Sequence, residues 1–134
     1  MTEGLPRVPL PPGSTIGILG SGQLGRMLAM AAARLGLKTH VYCEHSGPAF
    51  DVATRTTKAA FADKAALSAF AKAVDTVTYE FENVPLETAG HLAGLVPVRP
   101  GARALQVAQD RLAEKTFLTG LGIPVAPFRA ADSE

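Results

Sequence analysis

The sequence predicts an α/β fold: a Rossmann-like open parallel sheet with helices on both faces, followed by a short helical transition segment. Three observations carry that prediction. From Thr15 onward, short apolar or β-branched runs alternate with longer helical patterns, as parallel strands and their crossover helices do. The first run, Thr15 to Leu19, empties into Gly20-Ser21-Gly22-Gln23-Leu24-Gly25 and then a helical pattern. The composition, 47% hydrophobic against 19% charged, suits a domain with buried strands and alanine-bearing helices.

Residues 1–13 carry Pro6, Pro9, Pro11 and Pro12 and read as a flexible proline-rich leader, since proline interrupts both helix and ladder. They hold no apolar run long enough for a signal peptide or a membrane span. Thr15 to Leu19 is the first strand. In the turn after it, Gly20 and Gly22 permit backbone angles closed to other residues and let a ligand touch the main chain, while Gly25 lets helix and strand close up. The first helix runs from Gln23 to Leu35 and stops at Gly36. It places Leu24, Leu28, Ala31, Ala32 and Leu35 at helical spacing, predicted to face the sheet with Arg26 and Arg34 in water. Lys38 to Cys43 and Lys58 to Phe61 are the second and third strands.

Asp63 caps a second helix that reaches about Val74 and buries Leu67, Phe70 and Val74. Thr76 to Phe81 is the fourth strand, and Pro85 suits the first turn of a helix toward Leu92. Asn83, between them, is a candidate cap as well as a candidate ligand contact. Val96 to Val98 is a fifth strand candidate. Ala102 to Ala108 and Asp110 to Leu121 read as two further helices, stopped by Gly122-Ile123-Pro124. Residues 14–100 are thus the α/β unit and 101–134 the helical transition.

A chain of 134 residues fits one ordinary domain. Its 13 basic and 12 acidic residues leave a formal net charge of +1, which offers no broad footprint for nucleic acid or an anionic membrane. A small-molecule ligand follows. The single cysteine, Cys43, cannot close an internal disulfide, and His40, His45 and His91 are scattered, so no metal site is expected and a reducing cytosol is.

Ligands of open α/β sheets bind beyond the carboxyl ends of the strands, so the Gly20 to Gly25 turn and the Glu80 to Asn83 junction are predicted to share one edge. Free N–H groups and the helix dipole favour an anion or an electron-rich group at the turn. The glycine pattern alone does not choose the ligand. One alternative is a dinucleotide-binding domain of an oxidoreductase, in which Glu44, about twenty residues beyond the turn, would hold the adenosine ribose. Another is a non-catalytic docking module.

Three motifs in order, Gly20-Ser21-Gly22-Gln23-Leu24-Gly25-Arg26-Met27, Thr78-Tyr79-Glu80-Phe81-Glu82-Asn83-Val84-Pro85 and Gln109-Asp110-Arg111-Leu112-Ala113-Glu114-Lys115, together resemble the 5-(carboxyamino)imidazole ribonucleotide synthases. These are ATP-grasp carbon–nitrogen ligases of purine biosynthesis, and the resemblance runs from Ser14 to Phe128. It implies that the α/β unit is a pre-ATP-grasp domain. It further implies a reaction in which ATP and bicarbonate give carboxyphosphate, whose carboxyl group passes to the exocyclic amine of 5-aminoimidazole ribonucleotide, with Mg²⁺ neutralising phosphate charge. A cytoplasmic homodimer is implied too. In such enzymes most ATP and metal ligands lie in later ATP-grasp domains, so no catalytic residue is expected among these residues, and no turnover by them alone.

Carried over by motif, Gly22, Gln23, Leu24, Glu80 and Asn83 are the implied substrate contacts. Arg111 and Lys115 are the implied ATP contacts. The amide of Gln23 both donates and accepts, as a ribonucleotide's hydroxyls and amine require, and the fixed fork of Arg111 suits phosphate. Ser21 stands where the family often has a third consecutive glycine, and the Glu44-His45-Ser46 loop departs from the family's pattern.

Overall fold

Strands β1 (Thr15–Leu19), β2 (Lys38–Cys43), β3 (Arg55–Lys58) and β4 (Thr76–Tyr79) form one all-parallel sheet in the order β3-β2-β1-β4. This computed structural model describes residues 9–131. Most of the expected leader, residues 1–8, and the last three residues of the transition segment, 132–134, lie outside the described residues. Helices α1 (Gln23–Arg34), α2 (Lys64–Ala71) and α3 (Leu86–Ala93) connect or follow the strands, and α4 (Ala102–Gln109) and α5 (Arg111–Gly120) make the transition segment.

Alternation along the strands divides the core between the two faces of the sheet. Ile18 and Val41 pack with Ala29 of α1 and with Ala49 from the loop after β2. On the other face Leu19, Tyr42 and Val77 meet Leu67 and Phe70 of α2, Ala89 and Leu92 of α3 and Leu105 of α4. Helices therefore cover both faces, as the sequence predicts. Tyr42 is buried and donates its hydroxyl to the Ala60 carbonyl at 2.6 Å; burial, with Asp63 and Glu44 nearby, pushes its phenol up to about 12.

Strand β4 ends at Tyr79, short of the expected Phe81, and α2 ends at Ala71, short of the expected Val74. Three further local expectations are corrected. The stripe of α1 that meets the sheet is Gly25, Ala29 and Ala32, whereas Leu24, Leu28 and Leu35 are 58%, 41% and 71% exposed. The helix lies so near the sheet that only small residues fit beneath it, and the larger apolar side chains turn outward. The third strand begins at Arg55 and ends at Lys58, ahead of the apolar Ala59-Ala60-Phe61 run. As the edge strand β3 needs no continuous apolar pattern: Thr56 and Thr57 pair with Val41 and Tyr42 and leave its other edge to solvent. The fifth strand shrinks to a single bridge, Val77 to Val98. Its carbonyl and amide come from Pro97 and Arg99, which bond both sides of Val77 at 2.8 Å, while Pro97 and Pro100 lack the N–H groups that would extend a ladder.

His40 of β2 is the one buried imidazole in the described core, 4% exposed. Its Nε2 pairs with Thr57 Oγ1 at 2.8 Å, its ring stands edge-on to Phe70 at 4.8 Å, and its buried Nδ1 has no partner. Burial, helped by the nearby Arg55 charge, lowers its pKa from 6.5 to about 4. The unfolded chain therefore binds more protons than the folded one between those values, so the group's contribution is complete above pH 6.5 and lost as pH falls toward 4. Stability to urea is expected to be about 2 to 3 kcal/mol lower near pH 4 than at pH 7 on this account, and His40→Gln should remove that part of the slope. An unchanged slope in the variant would show that other groups set the acid sensitivity.

Candidate functional site

The sheet reverses its winding direction at β1, whose neighbours are β2 on one side and β4 on the other, and the crevice of such a fold opens there. Register sets what meets at that point. Leu19 pairs with Tyr79, and the Glu80 N–H donates to the Leu19 carbonyl at 3.1 Å, so the residue after β4 lies alongside the residue after β1. That neighbour is Gly20, whose φ of +109° only glycine adopts without strain.

The Glu80 side chain enters the glycine turn. A Cβ on Gly20 would lie 2.5 Å from Glu80 Cγ, and one on Gly22 would lie 2.9 Å from Oε1. The turn needs glycine because a carboxylate occupies the space. Oε1 accepts from the Gly22 N–H at 2.6 Å and Oε2 accepts from the Gly25 N–H. Gly22 stands at the N-cap of α1 and has no side chain to cap it, so Glu80, 58 residues further on, does that work. Each such charge-assisted bond contributes about 1.5 to 3 kcal/mol, and the helix dipole adds to it.

The loop after β2 closes over the same turn. Ser21 is buried, donates its hydroxyl to the His45 carbonyl at 2.7 Å, and accepts the Ala49 N–H on its own carbonyl at 2.9 Å. Arg26 reaches the Pro48 carbonyl at 3.3 Å and Asp51 at 3.5 Å. Glu44 is exposed, and its Oε1 accepts the Phe61 N–H at 2.9 Å. The carboxylate on which a dinucleotide reading depends is thus engaged, and the turn in which a pyrophosphate would sit is filled.

Gln23 and Leu24 occupy the first two positions of α1, both exposed at the rim of this turn. Gly22, Gln23, Leu24 and Glu80 are therefore brought together. Asn83 is exposed three residues beyond Glu80, and it does not cap α3: Pro85 holds the N-cap position, with no side-chain cap bond. Gln109 at the end of α4 ties this junction down, its Nε2 donating to the Val84 carbonyl at 2.5 Å.

Arg111 and Lys115 form a second group. Asp110 caps α5 by accepting the Ala113 N–H at 2.7 Å, which sets Arg111 and Lys115 one turn apart on one side of the helix. Both line an open depression of about 370 Å³ together with Phe128 and Arg129, and no residue of the glycine turn lines it. Arg111 pairs with Glu114 at 2.6 Å yet is 85% exposed, and the Lys115 ammonium sits 5.5 Å from the centre of the Phe128 ring. Arg129 was not foreseen from sequence; its signal was a lone base just past the Gly122-Ile123-Pro124 stop, a segment with no periodicity to orient it. Among the described residues no group of three or more His, Cys, Asp and Glu could hold a metal ion, and no helix is long and apolar enough to cross a membrane.

The family described as the ribonucleotide synthetase preATP-grasp domain matches residues 14–109, from the residue before β1 through the Gln109 anchor. The chain belongs to this family. Within the preATP-grasp family it resembles the N5-carboxyaminoimidazole ribonucleotide synthase of Brucella melitensis biotype 1, 53% identical over 126 residues, covering 93% of this chain and 35% of that protein. The structure of N5-carboxyaminoimidazole ribonucleotide synthetase from Thermus thermophilus matches with a TM-score of 0.79 and 51% identity, over 84% of this chain and 31% of that one. The Aspergillus clavatus synthase, in complex with ADP and 5-aminoimidazole ribonucleotide, matches with a TM-score of 0.71 and 30% identity over 87% and 31%. The chain spans about a third of the length of the synthases it matches.

Proposed function

We propose that this chain supplies the substrate-side wall of an ATP-grasp ligase that uses ATP and bicarbonate to carboxylate the exocyclic amine of 5-aminoimidazole ribonucleotide. The observation that carries the proposal is the 53% identity to a synthase of this reaction over 93% of the chain. The bound ADP and ribonucleotide of the Aspergillus clavatus structure support the same pair of ligands.

On this reading the rim formed by Gly22, Gln23 and Leu24 contacts the ribonucleotide. Glu80 sits behind it, each of its oxygens still having a lone pair for a substrate N–H after bonding the turn. Asn83 extends that contact along the β4 to α3 junction. The cations of the second depression, Arg111, Lys115 and Arg129, suit the phosphates of ATP by sign and by the forked geometry of arginine. The carboxyl acceptor and the nucleotide would then approach from two sides, and residues outside this chain would close the site between them. On this reading Mg²⁺ is held, with most of the ATP, by residues outside this chain. The reading includes a homodimer, to which the outward Leu28 and Leu35 of α1 offer apolar surface, and a cytosolic setting, which suits the free Cys43.

The test is a split in Michaelis constants, measured in the enzyme that carries this domain. Gln23→Ala is expected to raise KM for the ribonucleotide about tenfold, the worth of one hydrogen bond, and KM for ATP less than about twofold. Arg111→Ala is expected to do the reverse. Equal effects of either variant on both substrates would sink the assignment.

A further inference from the structure

A glycine turn at the start of a helix is built to receive an oxyanion. In this chain the oxyanion is a side chain of its own. Glu80 Oε1 and Oε2 take the N–H groups of Gly22 and Gly25, and the carboxylate stands so close over Gly20 and Gly22 that not even a methyl group fits beside it. The position is fixed by more than the side chain. Backbone pairing of Glu80 with Leu19 and of Gly20 with the Tyr42 carbonyl, at 3.1 Å and 2.9 Å, holds both partners at the end of the sheet.

We propose that Glu80 is a built-in anion that occupies the phosphate cradle of the turn, sets the entry angle of α1, and so closes this loop to phosphate-bearing ligands. The loop then discriminates by refusal. A dinucleotide or a substrate phosphate would have to displace a tethered carboxylate whose local concentration no free ligand matches, and would meet like charge as it approached. What the rim at Gln23 and Leu24 can accept is the uncharged, N–H-bearing part of a ligand, with any phosphate directed away. That last point rests on the function proposed above; the filled cradle does not.

The experiment uses the full chain with Glu80→Ala and Glu80→Gln, and two probes, sodium acetate and inorganic pyrophosphate, against chloride at matched ionic strength. Amide resonances of Gly22 and Gly25 and the thermal midpoint are followed. In Glu80→Ala the vacated cradle is expected to give saturable shifts of both amides with either probe, and a midpoint rise of about 4 °C at about ten times Kd. The parent is expected to show neither, and Glu80→Gln, whose amide fills the same space but can accept only one of the two N–H groups through its oxygen, is expected to respond less than Glu80→Ala. A Glu80→Ala chain that is unfolded in chloride and folds in acetate also supports the proposal. A Glu80→Ala chain whose Gly22 and Gly25 amides ignore both probes, or that remains unfolded in both, overturns it. So does a parent chain that responds as Glu80→Ala does. Neither probe is the ribonucleotide, so failure of the carboxylation reading would leave this result untouched.

Discussion

Replacing Gly20 by valine is expected to be the most damaging single change in the glycine turn. A β-branched residue at φ +109° carries backbone strain of about 1 to 3 kcal/mol. Its Cβ would also fall 2.5 Å from Glu80 Cγ, so the carboxylate must leave. With it go two charge-assisted bonds, each about 1.5 to 3 kcal/mol, and the cap of α1. The expected loss is at least about 4 kcal/mol, a large part of the total for a domain of ordinary stability. Gly13→Val separates the two causes, because Gly13 also has positive φ, at 91°, with nothing within 4 Å of its Cβ position. Urea unfolding of the pair should show Gly13→Val losing the strain alone. If Gly20→Val cost no more than Gly13→Val, the collision with Glu80 would have no energetic weight.

That prediction also marks the boundary between what was legible in the sequence and what was not. The bounds of the β1-turn-α1 unit were readable, because strand, glycine turn and helix start are local and each is written in a few consecutive positions, whereas the cap of α1 comes from Glu80, 58 residues on. The destination of Glu80 was not, since it depends on the pairing of Leu19 with Tyr79, a contact between segments far apart in the chain. A carboxylate at a strand end looks the same whether it faces a ligand or an amide. The same limit explains α1. Two apolar stripes share that helix, and the spacing of Leu24, Leu28 and Leu35 is as regular as that of Gly25, Ala29 and Ala32; the distance to the sheet, which periodicity does not record, selects the smaller set. The polar edge strand β3 and the proline-truncated fifth strand failed for a related reason, as neighbouring strands decide what an edge must look like. Arg111 and Lys115 were legible as neighbours because helical spacing is local, whereas Arg129 joins them only through the fold.

The filled cradle and the engaged Glu44 bear on the choice between ligands more than the glycine pattern does. Glu44, the acidic residue that a dinucleotide site would turn toward its ligand, accepts the Phe61 N–H, and Glu80 fills the turn in which the pyrophosphate would sit. The pattern is shared between the two kinds of domain because strand, turn and helix must meet in either; the charge that fills the turn is what separates them.

Removing the Phe70 ring is expected to produce the largest loss in the core, about 3 to 5 kcal/mol for Phe70→Ala. The ring is 1% exposed and bridges two positions of β2: it lies edge-on to His40 at 4.8 Å and tilted against Tyr42 at 5.3 Å. It also explains the glycine in the middle of β1. A Cβ on Gly17 would stand 2.6 Å from Phe70 Cζ and 3.1 Å from Val77 Cγ2, so Gly17→Ala in the parent overpacks the layer and should cost about 1 to 3 kcal/mol. In the Phe70→Ala background the same substitution places its methyl into the vacated space and gives β1 a residue less flexible when unfolded, so its effect should turn neutral or stabilising. A double-mutant cycle by urea unfolding checks the reversal; additive losses would mean that Gly17 is required by something other than the ring. The cycle has a second readout. Phe70 shields His40, so opening the layer to water should let the His40 pKa rise from about 4 toward 6.5 and flatten the fall in stability between those values. A cavity that stayed dry would leave the acid slope of Phe70→Ala equal to the parent's, because the desolvation that depresses His40 would persist.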